Sequence, residues 1–164
     1  MSKKRITIER TYDAMIEDVW DLWTTKDGIE SWWGPEGFAV TVQKLDLRAG
    51  GELLYTMTAT GPNEIAFMKR EGMPQATKNR ITFDEVVPRT RLAYTNLVDF
   101  IPGVEPYPAS QVIELSATGG QVRMVLTIDA MHDEVWTSRA VMGWEGELGK
   151  LAKVLSARVE KEKS

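Results

Sequence analysis

Residues 5–11, RITIERT, alternate polar and apolar side chains, which is the period of a half-buried β-strand. Beyond them the apolar spacing changes to three and four residues, which predicts a helix over about 14–24, capped by Asp13, with Trp20 beside its apolar stripe. The predicted buried face of this helix consists of Met15, Ile16, Val19, Leu22 and Trp23.

A second short helix is predicted over about 26–33, where Ile29, Trp32 and Trp33 stand at positions i, i+3 and i+4. The sequence GPEG follows directly, and a proline disfavours helical geometry in the residue before it. The tryptophan pair therefore closes this helix.

From residue 37 the chain returns to strand alternation, with Leu53, Tyr55 and Met57 on one predicted face. Successive strands joined by short turns favour an antiparallel meander, so the complete sheet has seven strands. The six predicted strands after the helix pair are 37–47, 52–59, 79–87, 91–98, 110–117 and 121–130.

Two connections are longer than the others. Residues 62–72 predict a short helix, since Pro62 suits a first helical turn and Ile65 and Met68 are three apart. Residues 100–108, FIPGVEPYP, combine three prolines with bulky apolar residues, and loops of this length are more often functional than tight turns.

The last 30 residues predict one long helix capped by Asp133. Gly143, Gly146 and Gly149 fall outside its apolar arc, which indicates either an irregular helix or a close approach, such as packing in a homodimer. The predicted apolar arc consists of Val141, Trp144, Leu148, Leu151, Leu155 and Val159.

The 164 residues, 43% hydrophobic and 27% charged, are typical of one globular domain over residues 1–164. No stretch is apolar enough to insert in a membrane, and a net charge of −4 without a basic cluster beyond residues 3–5 disfavours nucleic acid as a partner. The N-terminus lacks the apolar run of a signal peptide, so we expect a cytoplasmic protein. The absence of cysteine excludes disulfides and thiolate metal sites.

Catalytic and cofactor motifs are absent from the sequence. There is no HExxH, no EF-hand loop, no phosphate-binding glycine loop and no GxSxG elbow, so we predict no metal, no cofactor and no catalytic residue. His132 is the only histidine, and its place before the last helix favours a helix-end residue over a general base.

The motifs VWDLWT, WWGP, GGELLYTM, VVPRTRLAYT and GWEGELGKLAKVL occur in order along residues 5–156. In this order the chain resembles the family named for the activator of the heat-shock protein 90 ATPase, within the START-like, birch-pollen-allergen-like (SRPBCC) superfamily. The resemblance implies an α+β helix-grip fold, in which a curved seven-stranded antiparallel sheet wraps around a long C-terminal helix and an apolar cavity lies between them.

The sequence departs from that family at two places. The eukaryotic co-chaperones that give the family its name carry an additional N-terminal domain, whereas this chain begins directly at its first strand, which disfavours a chaperone partner. The helical segment 62–72 replaces what is usually a short hairpin, so it is the part most specific to this protein.

Counting strand directions along a meander predicts that four segments meet at one end of the sheet. These segments are WWGPEG, residues 62–74, residues 100–108 and MHDE at 131–134, and both turns of the helix pair are expected there as well. Their bulky apolar side chains form either the entrance to a cavity or a plug that closes the sheet. One tryptophan of the pair should anchor the core and the other should face the rim, since adjacent helical residues diverge by about 100°.

The function most consistent with these observations is the binding of a small apolar or aromatic molecule. An enzyme of the same superfamily, cyclase-like or hydrolase-like, is the alternative, and it needs a charged group in the cavity; a third hypothesis is a co-chaperone-like interaction module. Glu145 and Glu147 border the apolar arc, while Asp84, Glu85, Glu114 and Asp129 lie in strands and are expected to face solvent. The predicted ligand-binding residues are Trp32, Trp33, Tyr55, Met57, Phe67, Met68, Met73, Phe100, Ile101, Tyr107, Trp144 and Leu148.

Overall fold

The computed structural model describes residues 4–99, 101 and 103–163, and it contains one sheet in the order β1-β7-β6-β5-β4-β3-β2 with every neighbouring pair antiparallel. The strands are β1 (Arg5–Tyr12), β2 (Phe38–Leu45), β3 (Glu52–Ala59), β4 (Ala76–Val87), β5 (Arg91–Val98), β6 (Tyr107–Thr118) and β7 (Gln121–Asp129). The helices are α1 (Ile16–Thr24), α2 (Lys26–Trp32), α3 (Pro62–Arg70) and α4 (Glu134–Lys163). The predicted α+β meander with its long last helix is confirmed.

Two irregularities bend the sheet on its β2–β4 side. The register shifts between Val42 and Lys44 in β2 and between Phe83 and Glu85 in β4. An extra residue on one strand of an antiparallel pair increases the local twist and bends that strand. The sheet can therefore curve around the helices that cover its inner face.

The prediction that both turns of the helix pair lie at one end of the sheet is wrong for the first turn. Strands β1 and β2 form the two edges of a seven-stranded alternating sheet, so they run in the same direction. The turn into α1 therefore lies at the end that carries the β6–β7 turn, and Gln121 donates a hydrogen bond to Asp13 there at 2.7 Å. The turn out of α2 lies at the opposite end, as predicted.

Helix α1 begins later than predicted, and its buried face is different. Met15, not Asp13, occupies the N-cap position without a side-chain capping bond, and Met15 is 62% exposed. Trp20 is buried, and the carbonyl of the same residue accepts a hydrogen bond from the Thr24 hydroxyl at 2.7 Å. Helix α1 is covered on more than one side, by the sheet, α2 and α4, so its buried arc is wider than one stripe.

Two strands begin three residues earlier than their own alternation predicts. β4 starts at Ala76 because it pairs with Thr58 of β3, and β6 starts at Tyr107 because it pairs with Val98 of β5. Tyr107 was predicted to lie in a loop, and the structure places it in a strand. The ladder hydrogen bonds offered by the neighbouring strand extend each of these strands.

Helix α4 lies along the inner face of the sheet as predicted. Asp133 accepts a capping hydrogen bond from the Trp136 N–H at 2.8 Å, and every residue of the predicted arc is buried or half-buried. The helix is continuous, and a Cβ atom added at Gly143, Gly146 or Gly149 would meet nothing within 4 Å. Neither an irregular helix nor a close contact within the chain accounts for these glycines.

The buried side chains of the described residues form two separate clusters. The main cluster joins the inner face of the sheet to α1, α2 and α4 and includes Trp23, Trp32 and Trp33. A smaller cluster lies where β5 ends and β6 begins, and its buried members are Val98, Ile101 and Ala109. Within the described ranges, none of the helices is long and apolar enough to cross a membrane.

Candidate functional site

The end of α2 brings Trp33 against the inner face of the sheet. The Trp33 ring lies edge-on to Tyr55 of β3, with 5.4 Å between ring centroids, and 6.1 Å from Tyr94 of β5. Trp23 of α1 lies 6.3 Å from the same ring. Trp33, with Trp23 packed beside it, therefore contacts two tyrosines of the sheet.

The two adjacent tryptophans have different environments. Trp32 is fully buried, and its indole N–H donates to the carbonyl of Leu22 at 2.7 Å. Trp33 is 8% exposed, and its indole N–H has no hydrogen-bond partner among the residues that the structure describes. Trp32 is the expected core anchor; the position of Trp33 at a cavity rim stays a prediction.

Glu147 of α4 binds the turn that follows the tryptophans. Its carboxylate accepts a hydrogen bond from the Gly34 N–H at 2.9 Å, and the Lys150 ammonium donates to the Gly34 carbonyl at 2.9 Å. Gly34 has φ +88°, and a Cβ there would lie 3.1 Å from Val40 Cγ2. Since L-residues disfavour this conformation, glycine is the residue that the turn requires.

The electrostatics of this region are set by burial. Burial raises the pKa of Glu147 above its usual range, although the Gly34 N–H and the Lys150 charge oppose the shift. Burial also raises the pKa values of Tyr55 and Tyr94, and the negative charge of Glu147 adds to both shifts. An incompletely compensated carboxylate therefore lies close to two neutral phenols.

Three residues on the inner surfaces of the sheet and α4 keep some exposure to solvent. Tyr55 and Met57, on the inner face of β3, and Trp144, on the inner arc of α4, are only half-buried. Trp144 stacks on Trp23 at 6.1 Å with 26° between the ring planes, while Leu148, one turn further along α4, is buried. We call Trp33, Tyr55, Met57, Tyr94, Trp144 and Glu147 the interior cluster.

Helix α3 is attached to the same turn. The carbonyl of Gly37 accepts hydrogen bonds from the N–H groups of Thr60 and Gly61, at 2.8 and 3.1 Å, and the Glu64 side chain fills the space beside both glycine α-carbons. Of the predicted site residues in this segment, only Met68 is buried. The other two, Phe67 and Met73, are 46% and 49% exposed.

The predicted residues of the 100–108 segment belong to the smaller cluster instead. Ile101 is buried there, and Tyr107 packs against it with its hydroxyl 2.9 Å from Nδ1 of His132. His132 Nε2 also lies 3.4 Å from Asp133, so this histidine interacts at the helix end as expected. Phe100 lies outside the described residues.

The remaining candidate acids lie away from the interior cluster. Asp84, Glu85 and Glu114 are exposed, as predicted, and the first binds Thr95 while the other two bind Arg91. Asp129 was expected to face solvent, but it is buried and accepts a hydrogen bond from the Ser110 N–H at 2.9 Å. Asp129 ends β7 beside β6, and Ser110 of β6 supplies that backbone donor.

Sequence reasoning missed Tyr94 as a member of the interior cluster. The alternation of Leu92 and Tyr94 in β5 could have indicated this position, because both side chains are buried on the inner face of the sheet. Tyr94 is paired there with the buried Phe83 of β4. Within the described ranges, no group of three or more histidine, aspartate or glutamate side chains is placed to hold a metal ion.

Two surface grooves lie outside the interior cluster or touch only its edge. A groove of about 800 Å³ between α2 and the end of α4 is lined by residues that include Leu22, Val154 and Arg158. A second groove, of about 850 Å³, crosses β3 to β6 and is lined by residues that include Leu54, Leu97 and Tyr55. Tyr55 is the member of the interior cluster that reaches the second groove.

Comparison with known proteins identifies a family model and solved structures that match this chain. The family model of the activator of Hsp90 ATPase homolog 1-like protein matches residues 13–156. No curated protein matches the sequence.

Solved structures with the same fold come from several bacteria. A protein from Chromobacterium violaceum has a TM-score of 0.75 and 22% identity over 92% of this chain and 96% of its own. The AHSA1 protein from Silicibacter pomeroyi has a TM-score of 0.72 and 20% identity, covering 94% and 99%. An AHSA1-like protein from Aeromonas hydrophila has a TM-score of 0.70 and 21% identity, covering 94% of each chain. These likenesses confirm the helix-grip fold.

Proposed function

This chain belongs to the activator of Hsp90 ATPase homolog 1-like family, and from that premise we propose that it binds a small apolar or aromatic molecule between the sheet and α4. The observation that carries the proposal is the half-buried state of Met57 and Trp144, which lie on surfaces that face the interior and pack against the main cluster. Ligand pockets are concave and mostly apolar, with a few polar groups that fix orientation. The interior cluster has this composition.

The predicted site residues divide into different roles in this proposal. Trp33, Tyr55, Met57 and Trp144 contact the ligand, whereas the fully buried Trp32 and the buried Leu148 support them. Helix α3 acts as a lid in this proposal, since its Met68 is buried and its start is hydrogen-bonded to Gly37 in the turn after the tryptophans.

A titration with two variants tests the binding proposal. Met57→Arg places a long charged side chain at the half-buried position, whereas Met142→Arg makes the same change at an exposed position of α4. Calorimetric titration with 1-naphthalenemethanol should show saturable binding to the wild type and to Met142→Arg, and the affinity should be at least about tenfold weaker in Met57→Arg. Equal affinity in the two variants, or no saturable binding by the wild type, would contradict the proposal.

A second candidate is an acid–base enzyme that acts on an aromatic or polyketide-like substrate in the same place. The position of Glu147 favours it, because burial raises its pKa toward the range in which a carboxyl group can exchange protons with a substrate. Glu147→Gln should abolish turnover of such a substrate while leaving the affinity for 1-naphthalenemethanol unchanged. Turnover that survives this substitution would exclude Glu147 as the acid–base group.

A further inference from the structure

We propose that the interior cluster selects molecules that carry a protonated amine on an aromatic or apolar body, with Glu147 as the group that binds the amine. The inference rests on the proposed function, because it names the class of ligand that the same site takes. It depends on three features of the structure: the charge of Glu147, the aromatic rings beside it and the separate placement of Lys150.

Glu147 has a hydrogen-bond donor but no ion-pair partner among the described residues. One carboxylate oxygen, Oε1, accepts the Gly34 N–H at 2.9 Å, and the Lys150 charge acts on this carboxylate without offsetting the effect of burial on its pKa. A carboxylate that loses water without a counter-ion carries a desolvation cost, which a cation placed next to it offsets. A ligand ammonium would supply that missing charge.

Lys150 does not supply the charge directly. Its ammonium group is used on the other backbone polar group of the same residue, where it donates to the Gly34 carbonyl at 2.9 Å. Burial still raises the pKa of Glu147 despite this neighbour. Lys150 therefore holds the turn in place while the carboxylate stays available.

Aromatic rings stand beside the carboxylate. Glu147 is hydrogen-bonded to Gly34, the residue directly after Trp33, and its negative charge acts on the hydroxyl groups of Tyr55 and Tyr94. The rings of these two tyrosines lie 5.4 and 6.1 Å from the Trp33 ring, measured between centroids. The faces of tryptophan and tyrosine attract cations, and sites that combine such faces recognise ammonium groups. Carboxylate and rings together favour an organic cation over a neutral molecule of the same shape.

The neighbouring Glu145 provides the matched control. It lies on the same helix and carries the same charge, but it is exposed. Glu147→Gln removes the charge while its amide oxygen can still accept the Gly34 hydrogen bond, so the turn keeps its anchor. Glu145→Gln changes the net charge of the protein by the same amount without touching the interior cluster.

The experiment compares two probes of nearly equal shape, 1-naphthylmethylamine and 1-naphthalenemethanol, by calorimetric titration at pH 7. The wild type and Glu145→Gln should bind the amine about tenfold more tightly than the alcohol, whereas Glu147→Gln should bind the two equally. Circular dichroism of each variant verifies that the fold is retained.

The outcomes separate the two proposals. If the alcohol binds as tightly as the amine to the wild type, the amine inference is wrong and the binding function stands. A preference for the amine that survives in Glu147→Gln overturns the role of Glu147. If neither probe binds, both proposals fall.

Discussion

The carboxylate of Glu147 accepts a hydrogen bond from the backbone N–H of Gly34, 113 residues earlier in the chain, at 2.9 Å. This contact ties the end of α2 to the middle of α4, and Lys150 repeats the connection on the carbonyl side of the same residue. Hydrogen bonds to charged groups contribute more to stability than those between neutral groups. The turn that positions Trp33 is thus fixed from the opposite layer of the fold.

Stability should depend on pH through Glu147. Burial raises its pKa in the folded state above the ordinary value of 4.5, so the folded state holds this proton more tightly than the unfolded chain. The free energy of unfolding therefore falls as the pH rises from 4.5 through the folded pKa. Glu147→Gln does not titrate, so the wild type should lose stability relative to this variant over that window. Urea unfolding on both sides of pH 4.5 measures the difference, which would stay constant if the pKa were not raised.

The two adjacent tryptophans should respond differently to replacement by phenylalanine. Trp32→Phe leaves the Leu22 carbonyl, in the last turn of α1, without its indole donor, whereas Trp33→Phe removes an N–H that has no partner. Trp32→Phe should therefore lower the free energy of unfolding by about 1–3 kcal/mol more than Trp33→Phe, the cost of an unsatisfied buried group. Urea denaturation of the two variants measures this difference. Equal losses would show that the hydrogen bond to Leu22 contributes nothing.

Alanine should have opposite effects at two glycines. Gly34→Ala forces a side chain into a backbone at φ +88° and against Val40 Cγ2, so it should destabilise the protein by roughly 1–3 kcal/mol. Gly146→Ala adds a methyl group to open space on α4 and should stabilise by up to about 1 kcal/mol through helix propensity. Thermal unfolding of both variants gives the two signs. Destabilisation by Gly146→Ala would instead indicate that this glycine face packs against another chain.

Asp13 and Asp133 both precede a helix, but only Asp133 caps one. Asp133 accepts a hydrogen bond from the Trp136 N–H at the start of α4, so Asp133→Ala should cost about 1 kcal/mol. Asp13 precedes α1 but does not cap it, and its exposed bond to Gln121 should make Asp13→Ala nearly neutral. Chemical denaturation compares the two, and Asp133→Asn serves as the control that keeps a capping oxygen. A larger loss for Asp13→Ala would contradict this assignment of caps.

Local periodicity determined most of the architecture. The alternation of Leu53 and Tyr55 placed β3, and the spacing of Trp144, Leu148 and Leu151 gave the inner arc of α4, because both patterns repeat within a few residues of the same element. Short turns between alternating runs then left an antiparallel meander as the simplest connection. The prediction that WWGPEG and the segment that contains α3 lie at the same end of the sheet follows from strand direction alone.

Only the tertiary structure decided which side chains meet across elements. Trp20 is buried and Met15 is exposed because α1 is covered from several sides, and Tyr107 joins β6 because Val98 offers it a partner. The contact of Glu147 with Gly34 and the approach of Tyr94 to Trp33 depend on how α4 and the sheet are placed around one turn. A sequence specifies the period of each element locally, whereas such contacts depend on the relative positions of elements far apart in the chain.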